Sequence, residues 1–289
     1  MEVAPASVVA LTRACKPAKE AYMAQRTWAG PTGKHGGYNV PWSADEDAYL
    51  RETYPVLRVR EIAAHLGRTE NAVRLRAAAA KLPSRQRAGM HSLVPGYFRA
   101  IDTPMKAYLL GLLLADGSIS PANQLKLEIH EKDQCLAELA RDEIAPRARI
   151  GFYHTRTTPM ARFMIQSADL AVDLARHGVV HRKSLITAWP DTVPPELENS
   201  FVCGYYDGDG SLHARRPYRW TVVSGNPDFL KDMQTCIAGH TGIGVGGPYQ
   251  DTRHEHAWSI VATGRPVPEL DAWVHRDVPG LARKRLTAG

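Results

Sequence analysis

The sequence predicts an α+β fold in which two copies of one αββαββα unit follow a small all-α domain. Residues 108–119 and 201–212 share an apolar helix that runs into Asp-Gly-Ser, and the alternating apolar pattern of 125–129 recurs at 218–222. Three short helical patterns over 41–82 come before the repeat. With 289 residues, the chain is long enough to bury a core of this size.

Charge is unevenly distributed along the chain. Residues 1–104 carry 15 basic and 9 acidic side chains, whereas residues 105–289 carry 21 of each, so the net charge of +6 lies in the first third. A basic region favours an anionic partner. The predicted segments are a flexible N-terminal segment 1–40, a three-helix domain 41–83, a basic linker 84–104, a first repeat 105–198 and a second repeat 199–289.

Several classes of protein are disfavoured. The four cysteines lie far apart without a Cys-x-x-Cys pair, so the spacing predicts neither a zinc knuckle nor a disulfide framework. The longest apolar stretch, 107–115, is shorter than the roughly 20 residues of a membrane span, and the N-terminus has no uninterrupted apolar signal core. We therefore expect a cytoplasmic protein without a membrane segment. The Ala-, Arg- and Gly-rich composition favours a GC-rich bacterium or its phage.

The first helical region has clear boundary signals. Ser43 is placed to cap the first helix, Gly67 to end the second, and Thr69 to cap a third that runs to Leu82. A glycine turn followed by a basic helix is typical of a helix-turn-helix, although a three-helix domain with a solvated basic face fits too. The patterns W-S-x-D-E-D-x-x-L and I-A-x-x-L-G-R-T-x-x-A-V resemble Myb/SANT-like modules, which implies DNA contacts from Arg68, Asn71, Arg74 and Lys81.

Each copy of the repeat places an acid where a helix disfavours it. Asp116 and Asp209, 93 residues apart, follow apolar helices at their C-terminal ends, where the dipole opposes negative charge by roughly 0.3–1 kcal/mol. If the two helices pair in parallel, the carboxylates converge, and like charges raise one pKa unless a cation lies between them. Paired carboxylates around a divalent metal suit phosphodiester chemistry. For a single copy, the simpler interpretation is an Asp solvated at an ordinary turn. That interpretation does not explain why the acid recurs in register in both copies.

Small residues favour that helix pairing. Gly111 and Ala115, and likewise Gly204 and Gly208, are spaced i, i+4, which allows two backbones to approach closely. The glycines after the two acids, Gly117 and Gly210, are predicted to cap the helices in the left-handed conformation.

Both segments are similar to the LAGLIDADG motif, and residues 105–289 resemble a single-chain, two-motif LAGLIDADG homing endonuclease. The resemblance implies two pseudo-symmetric halves, motif helices at their interface, and saddle-shaped antiparallel sheets in the major groove of double-stranded DNA with a long asymmetric target site. It implies a monomer in which Asp116 and Asp209 hold Mg²⁺, assisted by the carbonyls of Ala115 and Gly208. The implied product is a double-strand break with 3′ overhangs.

Further residues are assigned from this resemblance. The earlier acidic position of the motif is Leu114 in one copy and Asp207 in the other; it varies in the family and is not a metal ligand. Basic residues near the active site are usual, and Lys183 and Lys284, in paired Arg-Lys elements, are the candidates, with phosphate contact or plain surface charge as the alternatives. Expected DNA contacts on the two sheets and their loops are Lys126, Arg147, Arg149, Arg215, Arg216 and Arg219.

Two other functions remain open. A non-cleaving DNA-binding transcriptional regulator on the same scaffold is one, and an RNA maturase is the other. Regulators that resemble this family carry the helix-turn-helix after the scaffold and tend to lack the metal-binding acids. Here the module comes first and both acids are present, so the sequence predicts a Mg²⁺-dependent, site-specific DNA endonuclease of homing type.

Overall fold

A computed structural model describes residues 41–82 and 92–286. The predicted flexible segment 1–40 and the linker residues 84–91 lie outside the described residues. The described part contains a three-helix unit and a larger α+β unit, formed by residues 94–144 and 150–286. None of the described helices has both the length and the apolar composition needed to cross a bilayer.

The three-helix unit begins at a reciprocal cap. The backbone N–H of Ser43 donates to the Glu46 carboxylate at 2.8 Å, and the Glu46 N–H donates to the Ser43 hydroxyl at 3.2 Å. Gly67 ends the second helix with φ 62°, a conformation that suits glycine. The third helix ends earlier than predicted, and Lys81 lies beyond it with φ 52°. The helices are α1 (Ala44–Thr53), α2 (Val59–Leu66) and α3 (Glu70–Ala79).

The larger unit contains the predicted αββαββα sequence twice, so the predicted fold class is confirmed. The first copy consists of α4 (Pro104–Ala115), β1 (Gly117–Ile119), β2 (Gln124–His130), α5 (Gln134–Ile144), β3 (Ile150–His154), β4 (Pro159–Gln166) and α6 (Ala168–Ala175). The second consists of α7 (Glu198–Asp209), β5 (Gly210–His213), β6 (Arg219–Ser224), α8 (Pro227–Thr241), β7 (Gly246–Gln250), β8 (Trp258–Thr263) and α9 (Val267–Val274).

Each copy forms one four-stranded antiparallel sheet. The strand orders are β1-β2-β4-β3 and β5-β6-β8-β7, so corresponding strands occupy corresponding positions. The predicted alternation is confirmed in β2, where Leu125, Leu127 and Ile129 are buried and the residues between them are partly exposed. Trp220 lies on the equivalent buried face of β6 and stacks on Tyr206, with the ring centres 5.0 Å apart.

The predicted linker is too long at its C-terminal end. Tyr97 and Phe98 are buried in the α+β unit. The Tyr97 hydroxyl donates to Glu143 at 2.8 Å, and a ring nitrogen of His177 lies 2.7 Å from the Phe98 carbonyl oxygen. The neighbouring sequence is polar and rich in glycine, but burial of two aromatic rings stabilises packing against the core. These residues therefore belong to the core and do not form an extended tether.

Candidate active site at the ends of the motif helices

The motif helices α4 and α7 pack against each other at backbone distance. A Cβ atom added to Gly111 would lie 2.1 Å from the carbonyl oxygen of Phe201, and one added to Gly204 would lie 1.8 Å from that of Tyr108. No larger residue fits at either position without separating the helices. This is the close packing that the small-residue spacing predicts.

The two helices run in parallel, and their C-terminal ends meet. Near the start of the interface Gly204 faces Tyr108; near its end a Cβ on Gly208 would lie 2.3 Å from Ala115 Cβ and 3.2 Å from Asp116 Oδ2. The residue after Gly208 is Asp209, so the two motif acids occupy neighbouring helix ends. Asp116 is exposed to solvent, whereas Asp209 is half-buried.

Burial opposes the ionisation of both carboxylates, and at Asp116 the neighbouring acid adds to it. Desolvation by the surrounding protein, followed by the negative charge of Asp209, raises the pKa of Asp116 to about 6, against the opposing influence of Lys284 and Lys183. Burial also raises the pKa of Asp209, which the same lysines and a hydrogen bond from Tyr205 lower in part. A cation between the carboxylates would relieve this repulsion.

Two buried lysines cap the motif helices. Lys183 lies in a 3₁₀ turn, and its Nζ donates to the Ala115 carbonyl oxygen at 3.1 Å. Lys284 lies in the corresponding turn of the second copy, and its Nζ donates to the carbonyl oxygens of residues 206–208 at 2.6–3.2 Å. Only 5% and 4% of these residues is exposed, so neither is a surface charge. Each satisfies carbonyls that the end of a helix leaves without a partner.

The lysines also bear on the metal-ligand prediction for two carbonyls. The oxygens of Ala115 and Gly208 each accept an N–H from a lysine. Burial lowers the pKa of both Lys183 and Lys284, and the neighbouring acids act in the opposite direction. The role of the two carbonyls as metal ligands stays a prediction, as does a direct catalytic role for the lysines.

The predicted left-handed caps are wrong. Gly210 is extended, with φ −103° and ψ 167°, and Gly117 does not have a positive φ. Glycine is needed there for space, because a Cβ on Gly117 would lie 2.5 Å from the Leu113 carbonyl oxygen and one on Gly210 would lie 2.1 Å from the Tyr206 ring. The chain turns directly from each helix into the first strand of its sheet.

The acid at the variable motif position ties the two copies together. Asp207 is 3% exposed; its Oδ2 accepts a hydrogen bond from the Tyr108 hydroxyl at 2.6 Å and one from the Leu281 N–H at 2.8 Å. The corresponding Leu114 is also buried. Sequence reasoning missed Tyr108 and Leu281, because nothing in the local pattern links residues so far apart in the chain.

A second contact between the copies lies beside Asp116. Asp133 lies in a 3₁₀ turn and accepts a hydrogen bond at 2.8 Å from Nε of Arg283, the neighbour of Lys284. An arginine of the second copy thus pairs with an acid of the first. A cavity of about 250 Å³ opens here, and Asp116, His130, Asp133, Gly208 and Arg283 contribute to its lining.

Three basic residues of the second copy, Arg215, Arg216 and Arg219, have no acidic partner among the described residues. Arg215 and Arg216 are in the exposed loop between β5 and β6, and Arg219 is the exposed first residue of β6. The Arg216 guanidinium lies 6.0 Å from the centre of the Tyr218 ring. The arrangement suits contact with an anionic polymer.

Among the predicted DNA contacts of the first copy, Lys126 has an acidic partner. Lys126 Nζ lies 2.6 Å from the Glu128 carboxylate, which reduces the charge it offers. Arg147 and Arg149 are exposed and precede β3, which begins at Ile150. All three remain predicted DNA contacts.

In the three-helix unit, the predicted DNA contact of Arg68 is wrong. The Arg68 guanidinium is 2.9 Å from the Glu46 carboxylate and 4.8 Å from the Trp42 ring centre, with only 9% of its side chain exposed, so it holds α1 to the turn before α3. Asn71, Arg74 and Lys81 are exposed, although Arg74 pairs with a glutamate one helical turn away. DNA binding by these three stays a prediction.

Comparison with known proteins locates the chain among solved structures only, since no family model and no curated protein matches it. The homing endonuclease I-WcaI bound to its DNA recognition sequence aligns at 11% identity and a TM-score of 0.47, over 67% of this chain and 91% of that one. Variants of the homing endonuclease I-DmoI align at 16% identity and a TM-score of 0.43, over 59% of this chain and 94% of that one. The N-terminal LAGLIDADG domain of DUF199/WhiA aligns at 11% identity and a TM-score of 0.40, over 65% of this chain and 85% of that one. These three solved structures are homing endonucleases and a LAGLIDADG domain, and at these identities the likeness concerns fold and not activity.

Proposed function

We propose that this chain is a divalent-metal-dependent endonuclease that cuts both strands of DNA at a long, asymmetric site. One observation carries the proposal: Asp116 and Asp209, one from each copy of the repeat, lie at adjoining ends of parallel helices with raised pKa values. Two related copies present two equivalent acids, and a DNA duplex presents two strands to cut. Each acid therefore serves the cleavage of one strand.

The donor atoms fit a hard divalent cation. Carboxylate oxygens are ligands that Mg²⁺ prefers, and Asp116 is open to solvent on one side. When bound, the ion neutralises both acids and stabilises the negative charge that develops on the phosphate. Asp116 and Asp209 are the residues that would hold it.

The other residues of the site position these acids. Lys183 and Lys284 fix the carbonyl ends of the two motif helices, and the glycine contacts fix the distance between them. We treat the lysines as positioning residues, because the atoms that their Nζ groups contact are backbone oxygens. A site held this firmly keeps the two carboxylates near their working geometry without DNA.

DNA binding divides between two regions in this proposal. The exposed faces and loops of the sheets, including Arg216 and Arg219, contact the target site, while the N-terminal helices anchor the chain to flanking DNA. Deletion of residues 1–83 is then expected to weaken binding and reduce its dependence on salt. An unchanged salt slope, measured by fluorescence anisotropy across KCl concentrations, would contradict the anchor.

A non-cleaving DNA-binding regulator is the second candidate, and one observation favours it. The carbonyls of Ala115 and Gly208 already accept lysine N–H groups, which leaves the carboxylates as the main ligands for a cation. In that case a cation held by the two acids would join the copies without chemistry.

A selection on random double-stranded DNA separates the two functions. The chain is incubated with the library in Mg²⁺ and in Ca²⁺, and both cleaved and bound molecules are sequenced. The endonuclease proposal predicts one family of cleaved sites in Mg²⁺, and no cut product from the matched D116N/D209N double variant. Specific binding without cleavage in any divalent metal would establish the regulator, and cleavage by the double variant would remove these acids from the mechanism.

A further inference from the structure

Three side chains with metal-binding groups converge at the opposite end of α7. Glu198 is the first residue of α7, and Cys236 and His240 lie one helical turn apart on α8. His240 Nε2 is 2.7 Å from Glu198 Oε2, and Cys236 Sγ is 3.3 Å from the same oxygen. One ligand atom from each residue lies within 4.8 Å of the other two.

This set of donors suits zinc. Zn²⁺ takes cysteine sulfur at about 2.3 Å, histidine nitrogen at about 2.0–2.1 Å and carboxylate oxygen at about 2.0–2.2 Å, so neighbouring ligands around a tetrahedral ion lie roughly 3.3–3.7 Å apart. The present separations need only small side-chain rotations to reach those values. A sulfur and an imidazole nitrogen do not suit Mg²⁺, which separates this cluster from the aspartate pair.

The cluster is positioned by the fold. The i, i+4 spacing places Cys236 and His240 on the same face of α8. The His240 ring stacks on Trp273 with ring centres 5.5 Å apart, which restricts its rotation. In the metal-free state, the thiol donates to the Glu198 carboxylate, which the His240 ring nitrogen also contacts. Release of the thiol proton, and neutral imidazole, then leave three ligand atoms facing one point.

We propose that Glu198, Cys236 and His240 bind one zinc ion, with water in the remaining position. Glu198 and Asp209 lie at opposite ends of a 12-residue helix, so this site is about 16 Å along the helix axis from the candidate active site. The ion would join the start of motif helix α7 to α8. The proposal does not depend on nuclease activity.

Metal content of the full chain tests the proposal. Protein stripped with a chelator is given Zn²⁺, desalted, and measured by inductively coupled plasma mass spectrometry. We expect one zinc ion per chain, a melting temperature several degrees higher with zinc, and the near-ultraviolet charge-transfer band of a thiolate ligand when Co²⁺ replaces it. Failure to retain stoichiometric metal, or a bound Co²⁺ without that band, overturns the proposal.

Matched variants identify the ligands. C236S is expected to lose the Co²⁺ band, and H240Q and E198Q to weaken zinc binding at least about 100-fold, whereas C135S and H254Q should bind like the wild type. His240 is partly exposed, so H240Q is expected to fold and decides the question if C236S does not. Wild-type affinity in folded H240Q overturns the proposal. The D116N/D209N double variant should keep its zinc, so loss of cleavage and loss of this site remain distinguishable.

Discussion

The two motif-helix ends carry the same aspartate but are supported differently. In the first copy Lys183 contacts one carbonyl, and Asp116 is exposed. In the second copy Lys284 contacts three carbonyls, and Asp209 is half-buried. Duplication of a motif has therefore preserved the acids, while the polar contacts around them have become unequal.

The variable motif position adds to this difference. Asp207 joins the second helix end to Tyr108 of the first copy and to the backbone of Leu281, whereas Leu114 makes no polar side-chain contact. The end of α7 is fixed by more hydrogen bonds than the end of α4. We infer that the second acid is the more firmly positioned of the two and the first the more accessible.

The largest expected effect tests whether the two acids remain equivalent in chemistry. D116N and D209N should each lower double-strand cleavage by at least about 10²–10³-fold while binding persists, because each removes a charge at the site of transition-state stabilisation. A supercoiled plasmid carrying the selected target resolves nicked from linear product. Normal linearisation by either variant would contradict the mechanism.

The next effect tests the unequal lysines. K284M leaves three carbonyls without their lysine partner and should reduce the free energy of unfolding by roughly 3–5 kcal/mol. K183M leaves one carbonyl without its partner and should reduce the free energy of unfolding by roughly 1–3 kcal/mol. Urea denaturation of the two variants makes the comparison directly. Equal losses would show that the extra contacts of Lys284 add no support.

A smaller effect tests the tie through Asp207. Y108F removes one hydrogen bond to a buried carboxylate and should reduce the free energy of unfolding by about 1–2 kcal/mol. Y153F is the matched control, because Tyr153 donates at 2.7 Å to Glu128 on the exposed side of the sheet and should cost less than about 0.5 kcal/mol. Similar losses of stability in both variants would contradict a stabilising role for Asp207 between the two copies.

The smallest effect concerns pH. The raised pKa of Asp116, about 6, predicts that cleavage at limiting Mg²⁺ falls as the pH drops below 6, since protonation removes a ligand. One pH unit below the pKa, the cleavage rate should be about tenfold lower. Excess metal competes with the proton, so it should move the midpoint of the pH–rate curve to lower pH. Rates measured over a pH series at two metal concentrations check both points; a midpoint near 4 at limiting metal would contradict the crowded carboxylate.

The features that sequence could predict are those with a local period. Alternation in β2, the glycine spacing of α4 and α7, and the recurrence of the Asp-Gly motif depend on neighbouring residues, and they identified the repeated fold and Asp116 with Asp209. The alternation predicted the buried face correctly because apolar burial dominates strand placement.

The features that sequence could not predict depend on contacts between distant residues. Arg68 looked like a DNA-contacting residue because its partner Glu46 lies on another helix. Gly117 and Gly210 were assigned the commonest role of a glycine after a helix, whereas the structure requires them for close approach. The zinc ligands escaped notice because cysteine spacing alone does not indicate a site whose other ligands are a glutamate and a histidine.

We expect Asp116 and Asp209 to repel each other until a divalent cation joins them. A carboxyl whose pKa is raised above its unfolded value of 3.8 destabilises the fold once ionised, so this cost is present above pH 6 and disappears as the pH falls from 6 toward 4. Thermal melting of wild type and D116N, with the exposed Asp191→Asn as control, measures it directly. In chelator at about pH 7.5, we expect D116N to melt several degrees above wild type, and Ca²⁺ to stabilise wild type but not D116N. A D116N that melts at or below wild type in chelator, together with no gain from Ca²⁺, would contradict a shared cation site.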